Sequence, residues 1–166
     1  MHTNRPAVSF LIVSSLLLLP SVFVLAQPAP TQGVRAHTIL FVCEHGSAKS
    51  IIAAAHFNDL AARNGLLYRA IARGVHPDKE IPPYVKSALA AEGLNIRAWQ
   101  AKLLGEDDAL RSDPLITLGC ALPTLKAFAA HKLQDWNIPS PSENYKNASR
   151  AIAERVALLV KELAGK

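Results

Sequence analysis

Eight consecutive residues, Cys43-Glu44-His45-Gly46-Ser47-Ala48-Lys49-Ser50, put a thiol, a glycine, a cation and a hydroxyl into one short stretch of chain. Two chemistries are written with these residue types. One is a backbone cradle for a nucleotide phosphate, which needs G-x-x-x-x-G-K-[ST]. Aligning Lys49-Ser50 on the end of that pattern puts Cys43 and Ala48 where both glycines belong, so the cradle is missing. The other is a nucleophilic cysteine in an anion-binding loop. A thiolate is the reactive form, and a helix N-terminus beside a cation favours it.

The second reading uses every residue type present. The first N–H groups and the dipole of a helix opening at Ser50 favour an anion. Lys49 adds a full charge, Ser50 offers a hydroxyl to the sulfur, and Gly46 permits a tight turn with N–H groups facing inward. A loop of Glu44, His45, Gly46, Ser47, Ala48 and Lys49 would then hold an oxyanion for in-line attack by Cys43. A structural role competes. Cys43 and Cys120 are the two cysteines of the chain, and in an oxidising compartment a pair usually forms one disulfide. Both readings stay open here. His45, His76 and His131 show no ligand spacing that would make a metal site, and no cofactor motif is visible.

These residues must be held by a scaffold. Thr38 to Val42 is a continuous apolar run, expected as a strand buried on both faces. A helix is expected from Ser50 to Asn64, a strand from Leu66 to Ala72, and a helix opened by Pro82-Pro83 and running to Glu92. A short helix over Leu103 to Leu110 follows, with Glu106, Asp107 and Asp108 as its solvated face. A third strand is expected over Leu115 to Leu118, with Pro114 acceptable only where the strand starts. A fourth is expected over Leu133 to Ile138, and a long amphipathic helix over Glu143 to Leu163. Strands alternating with helices at this spacing imply an α/β domain with a parallel sheet and helices on both faces. In such sheets ligands sit beyond the carboxyl ends of the strands, which is where Cys43 falls.

Arg5 followed by the apolar run Val8 to Leu25 and the ending Val24-Leu25-Ala26 reads as a secretory signal cut after Ala26. Pro20 and that ending favour cleavage over retention as a membrane anchor. The expected organisation is a signal over 1–26, a linker over 27–36 and one domain over 37–166, exported to the periplasm or beyond the cell. No membrane attachment is expected once the signal is gone. The signal carries one counted charge, Arg5, so a net charge of +5 becomes +4 without it. The basic residues are scattered, which argues against a nucleic-acid partner.

A strand followed by C-x5-R-S at the start of a helix resembles the low-molecular-weight protein tyrosine phosphatases, whose fold the thioredoxin-coupled arsenate reductases share. The resemblance extends through the Gly74 turn, the SDPLITL strand and the closing helix, and so covers Thr38 to Leu163. It implies a three-layer α/β sandwich on a four-stranded parallel sheet. It also implies a phosphatase-type hydrolase acting through a cysteinyl-phosphate, with Cys43 as nucleophile, Lys49 in the arginine position and Ser50 bonding the sulfur. The substrate would be a phosphate- or arsenate-like oxyanion. Two alternatives accompany it: an arsenate-reductase-type redox enzyme using Cys43 and Cys120 with a thiol-disulfide partner protein, and a non-catalytic oxyanion-binding module.

The sequence departs from that family pattern twice. Arginine grips two phosphate oxygens with a planar fork, and Lys49 is a point charge. Losing such a donor costs ~3 kcal/mol of transition-state stabilisation. The family's Asp-Pro general acid is also absent, because Ser140 precedes Pro141. Asp113-Pro114 is expected at the opposite end of the sheet. Asp135 and Glu143 flank the loop and are read as surface carboxylates.

Overall fold

The computed structural model describes residues 36–124, 128 and 133–165; the signal over 1–26 and all but Ala36 of the linker lie outside the described residues. In chain order the elements are β1 (His37–Cys43), α1 (Lys49–Arg63), β2 (Tyr68–Gly74), α2 (Pro83–Ala91), α3 (Glu106–Leu110), β3 (Ser112–Thr117), β4 (Gln134–Asp135) and α4 (Tyr145–Ala164). The four strands form one parallel sheet in the order β2-β1-β3-β4. The chain leaves β1 towards β2 on one side and later returns to β3 on the other. The switch in strand order therefore falls between β1 and β3, and a ligand crevice belongs at the carboxyl ends of those two strands.

Residues alternate between the faces of a strand, and β1 shows what this does in a doubly covered sheet. Ile39, Phe41 and Cys43 join the larger core, with α1 and α4. Leu40 and Val42 join the smaller one, with Leu104, Ala109, Leu115 and Phe128. Each run is apolar because each face is covered. Phe41 packs its ring against Phe57 of α1 at 6.2 Å and against Trp136 at 5.4 Å between centroids. Burying an aromatic side chain completely contributes roughly 1.5–3 kcal/mol, so β1 is pinned to α1 and to the segment after β4, two residues before Cys43.

The structure moves several expected boundaries. Pro114 lies inside β3, not at its start. The register with β1 jumps from Thr38↔Ser112 to Leu40↔Leu115, and Pro114 sits in that irregularity, where a missing N–H costs no ladder bond. β2 extends to Gly74, further than Ala72. Leu103 is not helical: it bridges Gly74, while Gly74 N–H donates to Lys102 O and Leu104 N–H to Gly74 O, so these backbone groups cover the end of β2. β4 is cut to two residues because β3 ends at Thr117, whose carbonyl takes the Trp136 N–H at 2.8 Å as the final bond. α4 starts at Tyr145 because the Asn144 side chain accepts the Asn147 N–H at 3.1 Å and caps it. Asp108 is not merely solvated: Arg73 holds it through two bonds of 2.8 Å.

Candidate active site

Cys43 is the last residue of β1, and six residues later Lys49 opens α1. The sulfur is almost completely enclosed, with Cys43 only 3% exposed and Ser50 at 0%. Their Sγ and Oγ are 3.2 Å apart. With the thiol protonated it donates to the hydroxyl; a serine hydroxyl turns to donate when the sulfur is ionised. No side chain caps α1, and its first turn carries no acid. The first N–H groups of this 15-residue helix thus have no side-chain cap, and uncapped N–H groups of this kind favour an anion.

The loop between these residues is fastened to the segment after β2. Val75 N–H donates to Cys43 O at 3.2 Å, His76 N–H to Glu44 O at 2.8 Å and Asp78 N–H to His45 O at 3.0 Å. Side chains repeat the connection: His76 Nδ1 lies 2.7 Å from a Glu44 oxygen and His45 Nδ1 3.5 Å from Asp78. Ser47, only 1% exposed, donates its hydroxyl to Asp78. Gly46 turns the loop at φ +57° and lies against Gly74. Glu44 and His45 are exposed at the rim, while Gly46 and Ser47 are buried beneath it. Asp78 was not foreseen from the sequence. Nothing local marks it, because its partners are more than thirty residues away.

On the other side Lys49 Nζ donates to Ile138 O at 3.3 Å. The structure therefore ties the loop's cation to the segment that follows β4. Asp135, expected as a surface carboxylate, is exposed but not idle: its Oδ1 accepts from Thr117 Oγ1 at 2.6 Å and from Gly119 N–H at 3.0 Å. Those bonds, with the Lys49 and Arg155 charges, hold its carboxyl below the usual range against the opposing effect of burial. A carboxyl held ionised is in the wrong state to protonate a leaving group. Ser140 shares its hydroxyl with Ser142 at 2.8 Å. Asp113 lies in β3 near Ser112, which pairs with Thr38, and so at the far end of the sheet from Cys43.

Cys120 follows the β3 turn and reaches back to β1, its Sγ 3.7 Å from Val42 O. Both cysteines are free thiols. Burial first, and then the neighbouring Cys43, together push the Cys120 thiol up to about 11, with a backbone bond at Leu118 opposing. The two sulfurs therefore share one end of the β1–β3 pair. Among the described residues no group of three or more His, Cys, Asp or Glu could hold a metal ion.

An enclosed thiol ends a central strand of a parallel α/β sheet at its switch point, and the loop after it opens a helix that no side chain caps. The chain belongs to the low molecular weight phosphotyrosine protein phosphatase family, whose model matches residues 38–166. Solved structures share the fold. An arsenate reductase in the phosphate binding state is 20% identical with a TM-score of 0.67, covering 76% of this chain and 98% of that one. The Corynebacterium glutamicum thioredoxin-dependent arsenate reductase is 27% identical with a TM-score of 0.66, covering 79% of this chain and 63% of that one. A low molecular weight protein tyrosine phosphatase from T. tengcongensis is 20% identical with a TM-score of 0.67, covering 76% and 99%. No curated protein matches the chain.

Proposed function

We propose that the chain is a phosphate monoester hydrolase of the protein tyrosine phosphatase type that works through a cysteinyl-phosphate. The observation that carries this reading is the Cys43–Ser50 pair, 3.2 Å apart in a loop that opens an uncapped helix. The Cys43 thiolate attacks phosphorus in line, the S–P bond forms, and the P–O bond to the leaving group breaks with its electrons passing to that oxygen. Water then attacks phosphorus, inorganic phosphate departs, and the sulfur recovers its electron pair. Lys49 and the loop N–H groups carry the charge on the non-bridging oxygens, and Ser50 donates to the sulfur as it leaves.

With Ser140 in the general-acid position, the leaving oxygen departs as an anion and takes its proton from water. Aryl phosphates with acidic phenols therefore suit the site better than alkyl phosphates. We also infer export, on the strength of the leader-like sequence of residues 1–26. Hydrolysis of p-nitrophenyl phosphate tests the main reading. It is expected in the native chain and abolished in Cys43→Ser; equal rates in both would reject the reading.

A second reading is favoured by Cys120 and by the 27% identity to a thioredoxin-dependent arsenate reductase. Arsenate bound on Cys43 would be attacked through sulfur by Cys120. That gives a Cys43–Cys120 disulfide and arsenite, a two-electron reduction of arsenic, and an external dithiol protein must then reduce the disulfide. The thiol of Cys120, pushed up to about 11, weighs against it as an attacking group near neutral pH. Thiol-dependent arsenate reduction lost in Cys120→Ser, with hydrolysis untouched, would select this reading.

A further inference from the structure

Asp135 stands in solvent at the end of β4, where a carboxylate needs no protein partner, yet one oxygen takes two hydrogen bonds from the end of β3. The Thr117 hydroxyl and the Gly119 N–H both converge on Oδ1. Gly119 turns at φ +70° and delivers Cys120. That turn also runs against the anion loop: a Cβ on Gly119 would stand 3.5 Å from Lys49 Nζ. Lys49 in turn donates to Ile138 O, three residues beyond Asp135. Thus one carboxylate fastens the Cys120 turn, and the cation of the Cys43 loop sits within its field.

We propose that Asp135 is a positioning residue of the Cys43 site, holding the Gly119–Cys120 turn in place and acting as the counter-charge to Lys49 that sets how tightly the loop takes an oxyanion. The second half rests on the reading of residues 43–50 as an anion site. Lysine makes this role consequential. A guanidinium has a five-donor fork and can keep one partner while gripping another, whereas an ammonium is a point charge whose position follows its strongest neighbour. An incoming oxyanion must therefore draw Lys49 away from Ile138 O and against the pull of the Asp135 charge, and the carboxylate adds its own repulsion. The acceptor role and the charge role are separable, because asparagine keeps an oxygen where Oδ1 lies and carries no charge.

The test uses the full chain, inorganic phosphate as the probe, and the exchange of the Gly119 amide proton measured by NMR. In Asp135→Asn the Gly119 amide keeps its protection and phosphate binds about fivefold tighter, the scale of one solvent-screened charge interaction. In Asp135→Ala the same amide exchanges about tenfold faster or more, because its acceptor is gone. Phosphate binding no tighter in Asp135→Asn than in the native chain overturns the counter-charge role. Unchanged Gly119 protection in Asp135→Ala overturns the positioning role. If the native chain takes up no phosphate while Gly119 still loses protection in Asp135→Ala, the anion-site reading fails and the turn-positioning role stands.

Discussion

Gly46 and Gly74 touch backbone to backbone: a Cβ on Gly46 would lie 2.5 Å from Gly74 N, and one on Gly74 would lie 2.6 Å from Gly46 N. No side chain fits between the Cys43 loop and the end of β2. The contact lets Val75, His76 and Asp78 reach the loop carbonyls with their N–H groups.

Gly74→Ala is therefore expected to push the loop off its support. Forcing extra atoms into a closed contact costs roughly 1–3 kcal/mol, and urea denaturation will show the loss. Hydrolysis should fall more than stability alone explains, because the loop N–H groups no longer converge. A folded Gly74→Ala protein with native activity would show that loop geometry does not matter.

Lys49→Arg restores the planar fork. The rate of p-nitrophenyl phosphate hydrolysis is expected to rise about tenfold to a hundredfold, mainly in kcat, because the fork matches the trigonal transition state better than the ground state. A change confined to KM would mean that residue 49 only binds the anion.

Cys120 alkylation reports a thiol pushed up to about 11. The protonated form dominates throughout the neutral range, with about one thiolate in ten thousand at pH 7. Alkylation should therefore rise about tenfold per pH unit and level off near pH 11. A plateau near pH 8, read by mass spectrometry of the Cys120 peptide, would contradict the buried setting and revive Cys120 as an attacking thiol.

His56 links α1 to α4 and to the end of α2, its Nε2 lying 3.3 Å from Ser149 Oγ and 3.2 Å from Glu92. Burial lowers its pKa from 6.5, with Glu92 and Asp59 opposing. The unfolded chain therefore binds a proton at His56 before the folded chain does, so stability is intact above pH 6.5 and declines as pH falls below it towards the lowered value. Thermal unfolding between pH 7.5 and 5.5 should show this decline, and His56→Gln should flatten it. An equal slope in both proteins would place the sensitivity elsewhere.

What the sequence revealed was local, and what it hid was long-range. The octapeptide from Cys43 to Ser50 announced a strand, a loop and a helix because each signal lies within a few residues of the next. The sheet followed from alternating apolar runs, but the place of Pro114 did not, since a bulge depends on the register with β1. Asp78 and the Gly46–Gly74 contact were invisible because their partners are distant in sequence. Asp135 was legible as an exposed carboxylate, yet its two hydrogen bonds come from the end of another strand. That serine and not aspartate precedes Pro141 could be read directly from Ser140, whereas the bonds that lower the Asp135 pKa could not.

Sulfur 43 is expected to become covalently phosphorylated during turnover. Rapid acid quenching of the full-length protein with a radiolabelled aryl phosphate, followed by peptide mapping, tests it most directly. Label on the peptide containing Cys43, absent in Cys43→Ser and discharged by water as inorganic phosphate, is the predicted result. Steady hydrolysis with no label on Cys43, or with the same rate in Cys43→Ser, would contradict it.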